Sequence, residues 1–302
     1  MDNIAVIMTC HNRRDKTLAA VGSLLESAQG CSVEVNPVFY ITDDGCTDGT
    51  VEALLSRFGT DRFHIIEGDG SLYWAGGMRK AWTAAANDDA TYGWKFYFLY
   101  NDDTRLFPDG LEKLFCTHSF CLARYGRPGM YSGLTCSFND SSEITYGGEV
   151  LTGGLSGCLL GRTRRLGVSS EPRECDFANA NALLLSAEIV RQAGIFHDGY
   201  CHSCADYDYS FLTRRKGIPV LTTADTVGEC DYDHSSPGDI RRRILSMSLR
   251  ERRRYYEHPL HSNRDYELMV RRTQPLRYPF VWVLRRLNVY CPRIYYFLNG
   301  RH

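Results

Sequence analysis

The stretch "YFLYNDDTRLFPDG", residues 97–110, runs from aromatic and apolar side chains straight into Asn101, Asp102 and Asp103. Neighbouring carboxylates repel one another and resist burial, so a strand that ends on them either caps a surface turn or awaits a positive charge. Asp102 or Asp103, with Asn101, offers the hard oxygen ligands that Mg²⁺ or Mn²⁺ prefers, and such an ion bridges to substrate phosphates. Successive strand-end side chains point to opposite sides. Asp103, which shares a side with Asn101, is therefore taken as the principal ligand and Asp102 as its support.

Three further groups carry chemistry. "TDDGCTDGT" (42–50) closes a second apolar run on an acidic pair, which suits ribose or a base edge, or a plain turn. "GDGSLYWAGGMRKAW" (68–82) holds Gly68, Gly70, Gly76 and Gly77, which allow close approach of backbone N–H groups to a phosphate at a helix start. Arg79 and Lys80 add charge there, and Tyr73 and Trp74 offer an apolar wall for a base or sugar. In "HSCADYDYSFLTRRKG" (202–217), Asp206 and Asp208 stand near a helix start, where the macrodipole favours the ionised form. A carboxylate kept charged is either a cap or a general base. Asp208 lies roughly 200° around the helix from Asp206, so proton removal is assigned to Asp206 and a capping or orienting role to Asp208. "CHSC" lacks a second Cys/His pair to complete a zinc site. His234, in "ECDYDH", is a candidate late metal ligand.

The elements that must position these groups alternate. Apolar runs at 3–9, 35–45 (closing on its acidic pair and glycine), 63–66 and 94–100 read as strands, and helical spacing follows each at 18–28, 50–58, 76–88 and 108–125. That order implies an α/β fold with an open, mostly parallel central sheet covered on both faces. In such sheets ligands bind beyond the carboxyl ends of the strands, where "TDDG" and "NDD" fall. The second half is less regular: short glycine-rich strands, a strand passing into a helix that stops at Gly194, a helix from about Asp206 to Lys216, and a short strand. Beyond Pro237 the pattern is helical, with interruptions expected at Pro259, Pro275, Pro279 and Pro292. The chain thus divides into a domain at 1–236 and a helical appendage at 237–302.

With 302 residues, 43% of them hydrophobic, the chain is long enough for a sizeable core. Its opening, "MDNIAVIMTC", does not read as a signal peptide, because an acidic residue stands where a basic segment is expected. The expectation is a cytoplasmic protein with its twelve cysteines reduced. The net charge of −1 conceals an asymmetry: residues 241–302 hold 15 arginines against 4 acidic side chains. A nucleic-acid binder is not indicated by the acidic remainder.

These groups, in this order, resemble the inverting glycosyltransferases of family 2, built on the GT-A fold (a Rossmann-like nucleotide-diphospho-sugar transferase fold). The resemblance covers roughly residues 3–235 and rests on "VIMTCHNRRD", "TDDGCTDGT", "GDGSLYWAGGMRKAW", "FLYNDDT" and "ADYDYSFLTRRKGI". It implies that Asp44 contacts the base and ribose, that Thr9 and Asn12 lie by the nucleotide, that Asp103 holds Mn²⁺ or Mg²⁺, and that Asp206 is the base. The sequence departs from the family pattern where Asn101 replaces the first metal-motif carboxylate and Ala205 replaces a glutamate before the base. The glycine loop looks most like the rhamnosyl and polysaccharide glycosyltransferase subset.

The implied reaction transfers a sugar from a nucleotide-diphosphate donor to a hydroxyl of a saccharide or lipid-linked saccharide. UDP-hexose is the first donor expected and dTDP-rhamnose the second. A sugar-phosphate nucleotidyltransferase, the nearest enzymatic rival, wants a glycine-rich loop after the first strand, where this chain has "CHNRRD". A non-catalytic scaffold on the same fold is the third reading. In the tail, "PLRYPFVWVLRRLNVYCPRIYYFLNG" (275–300) interleaves arginines with aromatic rings, which suits an anionic membrane surface and peripheral attachment at its inner face. The alternative is packing on the core or a homodimer through the tail.

Overall fold

A computed structural model describes residues 1–154, 161–232 and 237–299. The first half alternates as expected: β1 (Asp2–Cys10), α1 (Arg14–Gln29), β2 (Val35–Asp43), α2 (Thr50–Phe58), β3 (Phe63–Glu67), α3 (Tyr73–Asn87), β4 (Phe96–Tyr100) and α4 (Gly110–Tyr125). There follow β5 (Met130–Cys136), β6 (Ala182–Ser186), α5 (Ala187–Ala193), α6 (Ala205–Arg215) and β7 (Val220–Glu229). These strands join one sheet in the order β7-β5-β6-β4-β1-β2-β3, with shorter strands at its margins. β1 to β4 run parallel to one another, as do β5 and β7. The exception is β6, which is antiparallel to both β4 and β5. Mostly parallel describes the sheet correctly.

Alternation along the strands explains why helices cover both faces. Tyr97 and Leu99 of β4 join Ala5 and Ile7 of β1 in one apolar cluster, under Met78, Ala81 and Trp82 of α3. Phe96, Phe98 and Tyr100 join Val6 and Met8 in the other, under Val21 and Leu24 of α1 and Leu111 and Leu114 of α4. A strand buried on both sides needs continuous apolar character, and "FYFLY" has it.

The tail forms α7 (Pro237–Ser246), α8 (Leu249–Glu257), α9 (Asn263–Thr273), α10 (Tyr278–Tyr290) and α11 (Pro292–Asn299). Pro279 does not interrupt a helix. It sits in the first turn of α10, where its missing N–H costs nothing. Met269, Val270 and Val281 belong to the same apolar cluster as Trp82. The seam near residue 237 is therefore one of composition, while the packing runs across it. Among the described residues, no helix is long and apolar enough to cross a membrane.

Candidate active site

The carboxyl ends of β1, β2 and β4 bring three of the sequence motifs together. Asp103 accepts a bond from Arg13 Nη1 at 2.7 Å, and Asp102 receives the same nitrogen at 3.4 Å. The other oxygen of Asp103 takes the Cys230 thiol at 3.6 Å. Burial and the neighbouring charge of Asp103 push the Asp102 carboxyl up to about 7, although Arg13 opposes the shift. Arg13 is itself partly exposed, and Lys16 adds a smaller opposing field at Asp102. Arg13 and Cys230 were not assigned from sequence: both lie inside quoted motifs, but their partners are about ninety residues or more away in the chain.

Asn101 is tied in on two sides. Its Oδ1 accepts the indole N–H of Trp74 at 2.8 Å, and its own N–H donates to the Asn181 carbonyl at 3.1 Å. Residue 180, next along, donates its N–H to Asp206 Oδ2 at 3.1 Å, while the Tyr207 N–H reaches the other oxygen at 2.9 Å. Asn181 also donates its amide to the Cys230 sulfur at 3.4 Å. Asn101 and Asp206 are thus fastened directly to the short segment Ala180–Asn181 that enters β6, and Asp103 is linked to it through Cys230. Burial pushes the Asp206 carboxyl up to about 6, with the N–H groups of Ala180 and Tyr207 pulling the other way. Such a carboxylate is ionised at neutral pH and holds a removed proton better than a solvated one.

Asp208 faces elsewhere. Both its oxygens lie 3.0 Å from Nε of Arg272 in α9, and its side chain is 3% exposed. From the same helix, Asp265 accepts the N–H groups of His202 and Ser203 at 2.7 and 2.9 Å. The tail therefore shapes the loop that delivers Asp206. Cys204, the residue before α6, has φ of 64°, and Asn12 and Tyr73 are also left-handed at 51° and 54°. All three strained residues border this site, where such conformations tend to be retained.

The glycine loop is organised differently from the sequence expectation. The N–H groups of Gly70, Leu72 and Tyr73 all point to the Asp44 carboxylate, at 2.9, 3.3 and 3.0 Å. Those of Ala75 and Gly76 point to the Cys201 carbonyl, at 3.1 and 3.2 Å. The donors expected to cradle a phosphate are thus matched within the protein. Asp44, expected at a base and ribose, is the pin that shapes the loop. Arg79 donates to the His197 and Tyr200 carbonyls, and Lys80 bonds the Glu67 carbonyl. Gly77 is required for packing: a Cβ there would collide with the Thr9 hydroxyl and come within 2.8 Å of Thr9 Cβ. Asn12 holds the neighbouring loop by accepting the Thr47 N–H at 2.7 Å. His234 lies outside the described residues.

Residues 5–118 match the model of glycosyl transferase family 2. The matched span holds the Asp44 pin, the glycine loop and the Asn101–Asp103 corner, and ends before Asp206. A solved structure of similar shape, the mannosyltransferase PcManGT from Pyrobaculum calidifontis in complex with GDP-Man and Mn²⁺, superposes with a TM-score of 0.51. The two are 15% identical, and the superposition covers 98% of this chain and 79% of that one. No curated protein matched the sequence significantly. The fold is GT-A, and the family match supports a glycosyltransferase.

Proposed function

We propose that this chain transfers a sugar from a nucleoside-diphosphate donor to an acceptor hydroxyl, with inversion at the anomeric carbon. The observation that carries the reading is the Ala180–Asn181 segment, which holds the Asn101–Asp103 corner and the Asp206 carboxylate in one frame. An acidic corner held in one frame with a buried, ionisable carboxylate is what diphosphate departure with proton removal needs.

A divalent cation fits the corner, because its donors are hard oxygens and a cation there would offset the burial and the Asp103 charge that raise the Asp102 carboxyl. Asp103 would be the principal ligand, with Asp102 beside it; Asn101 keeps one lone pair free after the Trp74 bond. Held there, Mn²⁺ or Mg²⁺ would supply positive charge for a leaving diphosphate. Asp206 takes the acceptor proton as the acceptor oxygen bonds to the anomeric carbon and the bond to the diphosphate oxygen breaks. Trp74, Asn12 and the loop pinned by Asp44 bound the donor side, and Arg79 acts only through the loop it holds at 197–200.

UDP-hexose is the donor class favoured, then dTDP-rhamnose, and GDP-mannose joins the panel because the similar structure contains it. The acceptor is a saccharide or a lipid-linked saccharide. Exposed Phe280, Trp282, Ile294 and Phe297 among the tail arginines support a peripheral site on an anionic membrane. Calorimetry of each donor with and without Mn²⁺, followed by the anomeric configuration of the product, tests the reading. Metal-dependent binding abolished by Asp103→Ala, with an inverted product, is expected. Full turnover after complete chelation overturns the metal assignment, and a retained configuration overturns direct displacement.

A further inference from the structure

A second cluster of ligating side chains lies at the root of the same loops and takes no part in the chemistry above. Cys10 ends β1, Asp43 ends β2, and Cys46 follows in the turn before α2. Their sulfur and carboxylate ligand atoms all lie within 4.8 Å of one another. Among the described residues this is the one group of three such side chains so arranged.

The Cys10 and Cys46 sulfurs are 3.8 Å apart. Two thiolates on one tetrahedral zinc ion, each at about 2.3 Å, subtend an edge of about 3.8 Å. The backbone already braces the group: the Cys46 N–H bonds Asp43 Oδ1 at 2.7 Å, and the Asn12 N–H points to the Cys46 sulfur at 3.3 Å. Cys10 is buried and Cys46 half-buried, so entry is from the Cys46 side. Three protein ligands leave a fourth position for water.

We propose that Cys10, Asp43 and Cys46 form a site for one thiophilic divalent cation of the Zn²⁺ class, distinct from the oxygen-ligand corner at Asp103. The ligand types separate the two sites: paired thiolates select soft and borderline ions, whereas carboxylate and amide oxygens select Mn²⁺ and Mg²⁺. Binding releases the two thiol protons to solvent. It also ties the β1–α1 loop, which carries Asn12 and Arg13, to the β2–α2 loop.

Titrating the reduced full chain with Co²⁺ under anaerobic conditions tests the proposal without any substrate. The expected result is a near-ultraviolet sulfur-to-cobalt absorption that saturates at one ion per chain, is displaced by Zn²⁺ and is unmoved by Mn²⁺. Cys46→Ser and Cys46→Ala should both abolish it, and Cys116→Ser, at an exposed thiol elsewhere, should keep it. Asp103→Ala should keep it too, so the outcome is independent of the transferase reading. Absence of the band in the unmodified chain, its survival in folded Cys46→Ala, or its loss in Asp103→Ala overturns the site.

Discussion

Replacing Asp206 with Asn removes basicity while keeping shape, and its effect on stability follows from the burial of this carboxyl. Folding raises the group from an ordinary 3.8 to about 6, so the folded chain binds a proton more tightly than the unfolded one. Stability therefore falls as pH rises through that window, and the whole cost stands above it. Two units and a fraction correspond to about 3 kcal/mol at pH 8, and roughly half of that is already incurred at pH 5. Asn has one acceptor oxygen where Asp206 has two, so the Ala180 or Tyr207 N–H loses its partner at a cost of about 1–3 kcal/mol. That loss does not depend on pH, so the comparison between two pH values removes it. The stability of Asp206→Asn relative to the unmodified chain should improve by about 1–2 kcal/mol between pH 5 and pH 8. Urea unfolding of both proteins at each pH measures it. The same variant should keep donor affinity and lose transfer by roughly 10²–10⁴-fold, and the unmodified enzyme's rate should rise through about pH 6. A stability difference that stays constant between pH 5 and pH 8 would refute the buried-base reasoning.

Arg272→Ala strands the Asp208 carboxylate in the core and should cost about 3 kcal/mol. Adding Asp208→Asn should recover part of it in urea unfolding, and strictly additive losses would show that the pair is not coupled. Gly77→Ala should destabilise the fold by about 1–3 kcal/mol through its clash with Thr9, with partial relief from Thr9→Ala; a thermal midpoint equal to the unmodified protein's would contradict the close packing. Phe280→Ser combined with Phe297→Ser should lower flotation with anionic liposomes without loss of folding. Equal binding by the variant, or none by the unmodified chain, rules against the tail as a membrane surface.

Much of the framework is visible in local patterns. "FYFLY" is apolar on both faces because helices cover both, and α2 begins at Thr50 and ends at Phe58, where spacing alone places it. The antiparallel course of β6 is not visible, since "ALLLS" is equally apolar in either direction. The site divides in the same way. Asp103 and Asp206 stand at element ends that periodicity locates. The partners that fix them do not, because Arg13 to Asp103 and Asp208 to Arg272 are pairings of distant residues with no local signature. The glycine loop shows the limit most clearly. Free N–H groups at a helix start suggest a phosphate, and only the folded chain reveals that Asp44 and the Cys201 carbonyl already occupy them.

Arg272 and Asp265 sit 64 and 63 residues beyond Asp208 and His202, the groups they hold. A ribosome adding about 5–20 residues per second needs roughly 3–13 s to cover that stretch. During that interval the sheet has all its central strands, yet the turn that delivers Asp206 has its N–H groups unmet. A nascent chain stalled before α9 would have its central strands and an unfinished candidate site. On the proposed reading, completion of the site waits on the arrival of the basic tail.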